Sequence, residues 1–359
     1  MTHKIKRAAA LALGTAVLAG ALSGCASRPA EKEIFAMDTV MRLTAYGKNG
    51  QSAVDAAVRE IQRLEKAMDR TDPGSEISRI NQGAGEPVSV SGETGWLLRR
   101  AQEFSAATGG ALDVTIAPVM DAWGFTTDEK HVPSQETLDS LLPLVDSGRM
   151  TIEDRDGGSV VTLGAGQAVD LGGIAKGYAS ERVEAVFREH GVESALAYLG
   201  GNVYAHGGKP DGSAWRVAVQ DPGDTESYVG VLSLRDAYAI TSGGYQRYFE
   251  QDGKIYHHIL DPSTGCPADS GLLSVTVVAP ADGPIPSTEY GENGGAMADA
   301  FSTALFVMGE DRALEFWRQG GWDFDLVLVT NDGRVLVTSG IAGEFEQNKE
   351  SGYSYETIR

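Results

Sequence analysis

The stretch DLGGIAKGY, Asp170–Tyr178, places an acid, two adjacent glycines and a lysine directly before a segment whose apolar pattern predicts a helix. We interpret it as the turn from a strand into a helix that ends before Gly191. Paired glycines let the backbone approach a ligand closely, and the free N–H groups of a helix N-terminus bind anions such as phosphate. Lys176 would add positive charge. Taken alone, a glycine pair at such a junction predicts only a tight turn, so both interpretations stay open.

The N-terminus has the pattern of a lipoprotein export signal. Three basic residues among the first seven precede an apolar run over Ala8–Ala21, which closes on Leu22–Cys25. The run is shorter than the roughly 20 apolar residues of a membrane-spanning helix, and it ends in the cysteine that lipid modification requires. We therefore expect residues 1–24 to be removed and Cys25 to anchor the domain 25–359 to a membrane on its extracytoplasmic, periplasmic face. An uncleaved anchor with an incidental cysteine is the alternative.

Charge and cysteine content narrow the range of functions. The chain of 359 residues has a formal net charge of −20, which argues against nucleic acid as a partner. Its two cysteines are Cys25 and Cys266, so acylation of the first leaves the second without a disulfide partner. Cys266 as a catalytic thiol has no second supporting feature, and an inert turn cysteine is the preferred interpretation.

Predicted helices and strands are intermixed without strict alternation. A strand is predicted over 33–46 and an amphipathic helix over 50–70, with further helices over 93–107, 175–190 and 297–318. Short strands are predicted around Val160, Val169, Ala197, Val203, Val217, Val231, Ala239, Tyr248, Ile255 and Val277. This mixture indicates an α+β fold, with a mixed, largely antiparallel sheet packed against helices. A subdomain boundary, if there is one, falls near residue 148, and the Gly- and Pro-rich stretch 281–295 predicts an exposed loop.

The segment ADAFSTALF, Ala298–Phe306, carries a candidate metal site. Asp299 and Thr303 stand four residues apart on a predicted helix and so share one face. Magnesium prefers oxygen ligands and keeps substrate phosphates among them, so this pair beside the glycine motif would bring metal and phosphate together. The alternative is an aspartate that stabilises a helix N-terminus, with Thr303 merely buried.

A third cluster combines aromatic rings, an arginine and two histidines. It spans SGGYQRYF, Ser242–Phe249, and HHILDPSTG, His257–Gly265, on two predicted strands joined by a turn at Asp252 and Gly253. Rings and donors there would suit a planar ligand. Because alternate strand residues face opposite sides, at most one of the two histidines faces a site, and a purely structural histidine stays an equal alternative.

Four further blocks accompany these three motifs. They are AMDTVMRL (Ala36–Leu43), DPGSEISRIN (Asp72–Asn81), GGALDVTIAPVMDAWGF (Gly109–Phe125) and YLGGNVYAHG (Tyr198–Gly207). In this order the seven blocks resemble the ApbE family of flavin transferases, once named thiamine-biosynthesis lipoproteins, which move FMN from FAD onto a protein. The resemblance covers nearly the whole mature chain and implies a T-fold-like α+β architecture and a transferase.

The resemblance also implies ligands and roles. It assigns FAD contacts to Met37, Thr71, Ala111, Leu112, Asp113, Asp170, Lys176, His258 and Leu260, and magnesium to Gly173 (through its carbonyl), Asp299 and Thr303, with a further oxygen from Ser302. In the implied reaction a Thr or Ser hydroxyl of an acceptor protein attacks the FMN-side phosphorus of FAD and displaces AMP. His258 and Asp299 are the candidate general bases, and we favour His258 because a metal-bound aspartate is a poor base. The implied partners are flavoprotein subunits of extracytoplasmic electron-transfer complexes.

Two features depart from the family pattern, and two other functions stay open. Asp38 stands where many relatives have glycine, and the stretch 282–295 is longer than usual, either as a lid or docking loop or as an idle insertion. An FAD pyrophosphatase would use the same site with water in place of the acceptor hydroxyl. A receptor would bind flavin without transforming it. A protein that carries covalent flavin itself is disfavoured, because the chain lacks a convincing Asp-to-Ser/Thr acceptor motif.

Overall fold

The helices agree with the sequence pattern where that pattern is strong. The computed structural model describes residues 28–127, 129–281, 290 and 294–359. Its α-helices are α1 Gly50–Met68, α2 Glu76–Gln82, α3 Gly92–Ala107, α4 Ala117–Trp123, α5 Gln135–Leu141, α6 Ala175–Glu189, α7 Gly294–Met308 and α8 Glu310–Gln319. The helices predicted over 50–70, 93–107 and 175–190 are confirmed to within one or two residues at their ends. None of the helices in the described part of the chain combines the length and apolar character needed to span a bilayer.

The strands form a large sheet and three small ones. They are β1 Ala30–Ala36, β2 Thr39–Ala45, β3 Val88–Val90, β4 Thr151–Arg155, β5 Gly158–Thr162, β6 Ser194–Leu199, β7 Asn202–Gly207, β8 Trp215–Gln220, β9 Tyr228–Leu234, β10 Ala237–Gly243, β11 Tyr248–Gln251, β12 Lys254–His257, β13 Leu272–Pro280, β14 Asp325–Thr330, β15 Arg334–Thr338, β16 Phe345–Gln347 and β17 Ser354–Ile358. The nine-stranded sheet has the order β1-β2-β6-β7-β10-β13-β14-β15-β17. Among the described strand pairs only β15 and β17 run parallel, so the prediction of an α+β fold with a mixed, largely antiparallel sheet is confirmed.

The nine-stranded sheet separates two hydrophobic layers. Alternate residues of its central strands, such as Val275, Val277 and Leu328, belong to the core shared with α1, α6 and α7. Their neighbours Val278 and Val327 pack instead with the small sheet of β8, β9 and β16. Successive strand residues face opposite sides, and burial on both sides explains the continuous apolar run of β13. The candidate site lies on the helical side.

The predicted strand over 33–46 is wrong as a single element. The chain turns back within it, and β1 pairs antiparallel with β2. Met37 and Asp38 form the turn with φ values of 48° and 58°. Positive φ at both central residues matches the twist of a two-residue hairpin, but without a glycine the sequence gives little sign of it.

Two other elements differ from prediction. The helix expected over 297–318 is split into α7 and α8 at Gly309, which has a φ of 80° and approaches the backbone of Ser270 closely. Val169 lies outside any strand. Its N–H donates to Oδ1 of Asn81 over 2.7 Å, and its carbonyl accepts from Nδ2 of Asn81 over 2.9 Å. Because one side chain satisfies both backbone groups, this segment needs no neighbouring strand.

A separate two-stranded ribbon, β11 and β12, stands beside the large sheet. Its turn residues Asp252 and Gly253 have φ values of 54° and 74°, which confirms the predicted hairpin turn. Phe249 and Tyr256 of the ribbon stack on one another and contact Trp123. The signal at 1–24 and Cys25 lie outside the described residues, as does most of the stretch 281–295, and the boundary near residue 148 stays a prediction.

Candidate active site

Helices α6 and α7 meet at two glycines, and this contact positions the predicted metal-binding acid. A Cβ on Gly177 would lie 2.2 Å from the carbonyl oxygen of Gly295, and a Cβ on Gly295 would lie 2.4 Å from the carbonyl oxygen of Gly177. At this approach the N–H of Gly177 donates to Oδ2 of Asp299 over 2.7 Å. The carboxylate is thereby fixed with only 3 % of the residue exposed.

The buried Asp299 carboxylate is only partly compensated by positive charge. Burial raises the pKa of Asp299, while the charge of Lys176 and the N–H of Gly177 oppose the rise. Nζ of Lys176 lies 3.9 Å from Oδ1 of Asp299, which is too far for a hydrogen bond. A carboxylate in this state favours a further cation, either a proton or a metal ion that displaces it.

The glycine turn, formed by Asp170, Gly172 and Gly173, lies directly against α7. Oδ1 of Asp170 accepts the N–H of Gly172 over 2.7 Å and so closes the turn. Neither glycine has a positive φ, so the turn uses glycine for space rather than for left-handed backbone. A Cβ on Gly173 would lie 3.1 Å from Cδ1 of Leu112 and 3.9 Å from Oγ1 of Thr303. The predicted metal residues Gly173 and Thr303 are therefore neighbours.

Lys176 lies between the glycine turn, α7 and the histidine pair. Its Nζ donates to the carbonyl of Gly172 over 3.3 Å, and its charge lowers the pKa of His258. The prediction of free N–H groups at this helix start is wrong. The N–H groups of Lys176 and Gly177 bond to Asp299, and those of Ala175 and Tyr178 donate to backbone carbonyls of the preceding turn. The ammonium group of Lys176 is therefore the positive charge that this helix start can offer to a phosphate.

Three hydroxyls complete the polar face of α7. Oγ of Ser242, on β10, lies 2.8 Å from Oγ of Ser302 and 3.1 Å from Oγ1 of Thr303. Ser302 has no exposed surface, and its Oγ donates to the carbonyl of Asp299 over 2.8 Å. Ser302 therefore stands on the inner side of the group, whereas Ser242 and Thr303 are partly exposed.

The ligand atoms that these residues offer suit a magnesium ion better than a transition metal. The carboxylate of Asp299, the hydroxyl of Thr303 and the adjacent backbone of Gly173 offer only oxygen, which Mg²⁺ prefers. No group of three or more His, Cys, Asp or Glu side chains converges within the described residues. A site with a single carboxylate leaves room for water and phosphate oxygens, as magnesium sites at phosphates usually do.

His258, at the end of the ribbon, is held by the backbone of Arg247. Its backbone N–H donates to the carbonyl of Arg247 over 3.1 Å, and its ring Nδ1 lies 3.1 Å from the same oxygen. A proton on Nδ1 satisfies this bond and leaves Nε2 as an acceptor. Burial, followed by the charges of Arg247 and Lys176, lowers the pKa of His258 to about 3. The ring is therefore neutral near pH 7.

His257 points elsewhere, as the alternation of a strand predicts. Its Nε2 lies 3.1 Å from the carbonyl of Ala268, and its ring meets Phe306 edge-on at 5.5 Å. Burial lowers the pKa of His257 as well. This histidine belongs to the packed core beneath the ribbon.

Met37 lies in a strained turn that Arg247 ties to His258. Its N–H donates to Oε1 of Glu65 over 2.7 Å, which helps to hold the unusual positive φ. Nη2 of Arg247 donates to the carbonyl of Asp38 over 3.2 Å, and Nη1 lies 3.9 Å from its carboxylate. Asp38 therefore faces Arg247.

Asp113 has no free carboxylate oxygen for a ligand. Its Oδ1 accepts from the N–H and the hydroxyl of Thr115 over 2.8 and 2.6 Å. Its Oδ2 accepts from the N–H of Ser147 over 2.8 Å and from Oγ of Ser105 over 3.3 Å. A contact of Asp113 with FAD would therefore use its backbone.

The remaining predicted FAD contacts differ in their surroundings. Thr71 is bound to Asp69 through its N–H and hydroxyl, next to Arg70, whose Nε lies 3.6 Å from Oδ2 of Asp170. Arg70 thus links this loop to the glycine turn. Ala111 is buried at 7 % exposure, and Leu260 packs in the cluster around Trp123.

A cavity of about 490 Å³ lies beside Asp113. Its walls come from the end of α3, the loop over 145–148 and Pro262 with Ser263, and it shares only Asp113 with the predicted contacts. The cavity does not reach Asp299, Thr303 or Lys176. The predicted metal residues are therefore grouped by side-chain contacts across α6, α7 and β10 rather than by this cavity.

Two residues of the site, Ser242 and Asn202, carried no predicted role. Ser242 begins one quoted motif, and Asn202 follows the Gly200–Gly201 pair of another. Asn202 is 1 % exposed, and its side-chain amide lies close enough to Asp299 to lower the pKa of that carboxyl. Strand alternation places Asn202 and Ser242 on the face that α7 covers. A polar residue on the core side of a strand is the sequence feature that could have identified both as site residues.

Known flavinyl transferases share the α+β fold that carries this site. The ApbE protein of Thermotoga maritima has a TM-score of 0.75 and 32% identity over 90% of this chain and 98% of its own. The flavinyl transferase ApbE of Pseudomonas stutzeri has a TM-score of 0.74 and 25% identity, over 89% of this chain and 98% of its own. The FAD:protein FMN transferase of Treponema pallidum is 33% identical over 84% of this chain and 85% of its own. Residues 37–328 match the ApbE family. The chain belongs to the ApbE family and is a transferase.

Proposed function

We propose that this protein transfers FMN from FAD to a Thr or Ser hydroxyl of an acceptor protein, with release of AMP and dependence on Mg²⁺. The observation that carries the proposal is the meeting of Asp299, Thr303 and Gly173 beside Lys176. These groups provide oxygens for one divalent ion and one positive charge for a phosphate. The names of the relatives support the flavin substrate.

The chain's own residues would bind and orient the substrate. The acceptor oxygen forms a bond to the FMN-side phosphorus, the bond to the bridging oxygen breaks, and AMP leaves with that oxygen. Lys176 would stabilise the phosphate charge, and Asp299, Thr303 and the carbonyl of Gly173 would hold magnesium. When bound, the ion neutralises charge that develops on the diphosphate.

His258 is the proposed acceptor of the hydroxyl proton. Its Nε2 is unprotonated when Nδ1–H donates to the carbonyl of Arg247. A pKa of about 3 makes the free imidazole a weak base. The diphosphate of bound FAD would raise this pKa towards the working range, because a nearby negative charge favours the imidazolium.

Mass spectrometry of an acceptor tests the proposal. The mature protein is incubated with FAD, Mg²⁺ and candidate extracytoplasmic electron-transfer subunits. We expect the acceptor to gain FMN less one water, with one AMP released for each FMN attached. Release of free FMN and AMP without a labelled acceptor would identify a pyrophosphatase, and unchanged FAD would identify a binding protein.

Lys176→Ala should weaken FAD binding about 10- to 100-fold, because a charge-assisted contact to phosphate is lost. Fluorescence titration of FAD without added metal measures this change. Lys32→Ala is the matched control, since its ammonium forms an exposed ion pair with Asp55. An unaltered dissociation constant in the Lys176 variant would remove this residue from the site.

His258→Gln should lower kcat about 10²-fold while FAD still binds, because glutamine cannot take the proton. His257→Gln removes the neighbouring ring that faces the core and should leave kcat near that of the wild type.

The pH dependence of kcat/KM gives a second test of the role of His258. The lowered pKa keeps His258 neutral above about pH 5, so kcat/KM for FAD, which reports the free enzyme, should show no inflection near 6.5. A clear acid limb there would contradict this assignment.

We propose that the mature protein is lipid-anchored through Cys25 on the extracytoplasmic side of a membrane. The basic residues, apolar run and terminal cysteine of residues 1–25 support this location. Flavoprotein subunits that face the same compartment are the proposed acceptors.

A further inference from the structure

We infer that Ser242 is a positioning residue that turns the Thr303 hydroxyl into an acceptor-only ligand for a divalent cation. The inference rests on the proposed function, which places such an ion beside Thr303. It concerns the direction of three hydrogen bonds: Ser242 with Ser302, Ser242 with Thr303, and Ser302 with the carbonyl of Asp299.

The direction follows from counting protons. Each hydroxyl can donate one hydrogen bond. Ser302 donates its proton to the carbonyl of Asp299 over 2.8 Å, so its oxygen can only accept from Ser242 at 2.8 Å. Ser242 has then used its own proton and can only accept from Thr303 at 3.1 Å. The three bonds form together in one direction alone, from Thr303 through Ser242 and Ser302 to the backbone of α7.

This direction decides what Thr303 can bind. Its proton points inward to Ser242, so the oxygen presents only lone pairs to the side where Gly173 lies, 3.9 Å from a Cβ built on that glycine. An oxygen without a free proton cannot donate to phosphate, but it can coordinate a cation. The hydroxyl chain therefore selects a metal ion at Thr303.

The sheet fixes Ser242 for this task. Ser242 lies on β10 on the same face as Ile240, which pairs with Asn202 and belongs to the core covered by α7. Thr241, one residue earlier, faces the other way, and its hydroxyl lies 2.8 Å from that of Thr276. The same strand thus carries a second hydrogen bond between hydroxyls, that of Thr241 and Thr276, which does not contact the site.

The test is Mn²⁺ binding, measured by electron paramagnetic resonance with ADP as a diphosphate without flavin. Ser242→Ala should raise the Mn²⁺ concentration for half-saturation about tenfold, the usual cost of losing a group that orients a metal ligand. Ser242→Thr keeps the hydroxyl and should bind Mn²⁺ nearly as the wild type does. Ser242→Cys, with a weak donor of similar size, tests the same point if the alanine variant fails to fold.

Thr241→Val is the matched control, because it removes the equivalent hydroxyl bond on the opposite face. It should lower the urea midpoint without altering Mn²⁺ binding. Wild-type binding by Ser242→Ala, or an equal loss in Thr241→Val, would overturn the inference. Asp299→Asn distinguishes a failure of the proposed metal site from a failure of the role of Ser242. If this variant binds Mn²⁺ normally, the proposed metal site is wrong. If this variant loses Mn²⁺ binding and Ser242→Ala does not, only the role of Ser242 is wrong.

Discussion

Asp299→Asn should reduce FMN transfer by about 10³-fold or more, the upper range for loss of a single preorganised charge-stabilising group. Asparagine keeps the size of the side chain and an oxygen for the N–H of Gly177, so the contact between α6 and α7 should survive. It lacks the negative charge that a divalent cation requires. The measurement is the rate of AMP release and acceptor labelling over a range of Mg²⁺ concentrations.

The matched control for this substitution is Asp221→Asn. Asp221 is also buried, at 6 % exposure, and its Oδ1 also accepts a glycine N–H, that of Gly223, over 2.8 Å. It makes its other bond to Tyr353, away from α7. We expect the control to keep its activity. If Asp299→Asn works at full rate in excess Mg²⁺, the metal assignment is rejected.

Gly177→Ala should remove activity and lower the free energy of unfolding by about 3 kcal/mol. In an open helix position the same change would stabilise by up to about 1 kcal/mol. Here the new Cβ would lie 2.2 Å from the carbonyl of Gly295 and 2.5 Å from Cβ of Asp299, so the helices must separate. The steric cost exceeds the helical gain, and the separation moves Asp299 away from the glycine turn.

Urea unfolding and Mg²⁺-dependent transfer report the two effects of Gly177→Ala separately. Gly343→Ala is the control, because its φ is not positive and its added Cβ would meet no atom within 4 Å. We expect that control to unfold near the wild-type midpoint. A Gly177 variant that is as stable and as active as the wild type would show that close helix packing is not needed.

The sequence predicted the helical parts of the site better than its tertiary contacts. The i, i+4 spacing placed Asp299 and Thr303 on one face of α7, because a helix follows local periodicity. The turn at Met37 and Asp38 was missed because neither residue is glycine, and the strand at Val169 was replaced by bonds to the distant Asn81. Contacts between residues far apart in the chain leave no local pattern.

The same limit explains the missing roles of Ser242 and Asn202. Both are small polar residues at strand positions, and their use depends on which helix covers that face. The approach of Gly177 to Gly295 likewise joins two motifs separated by more than one hundred residues of sequence. Pattern and composition could predict the ligand types, whereas their mutual placement required the folded chain.

The ribbon of β11 and β12 makes no ladder with the main sheet, and aromatic contacts around Trp123 hold it in place. Its exposed tip at Asp252 and Gly253 can therefore accept inserted peptide at little cost to the core, since lengthening a surface loop adds only slowly to the entropy of closure. The turn at Asp252 and Gly253 is therefore a position for grafting peptides, on the ribbon whose second strand leads to His258. Recognition sequences could be exchanged there while the helices that carry the acid and the lysine stay untouched.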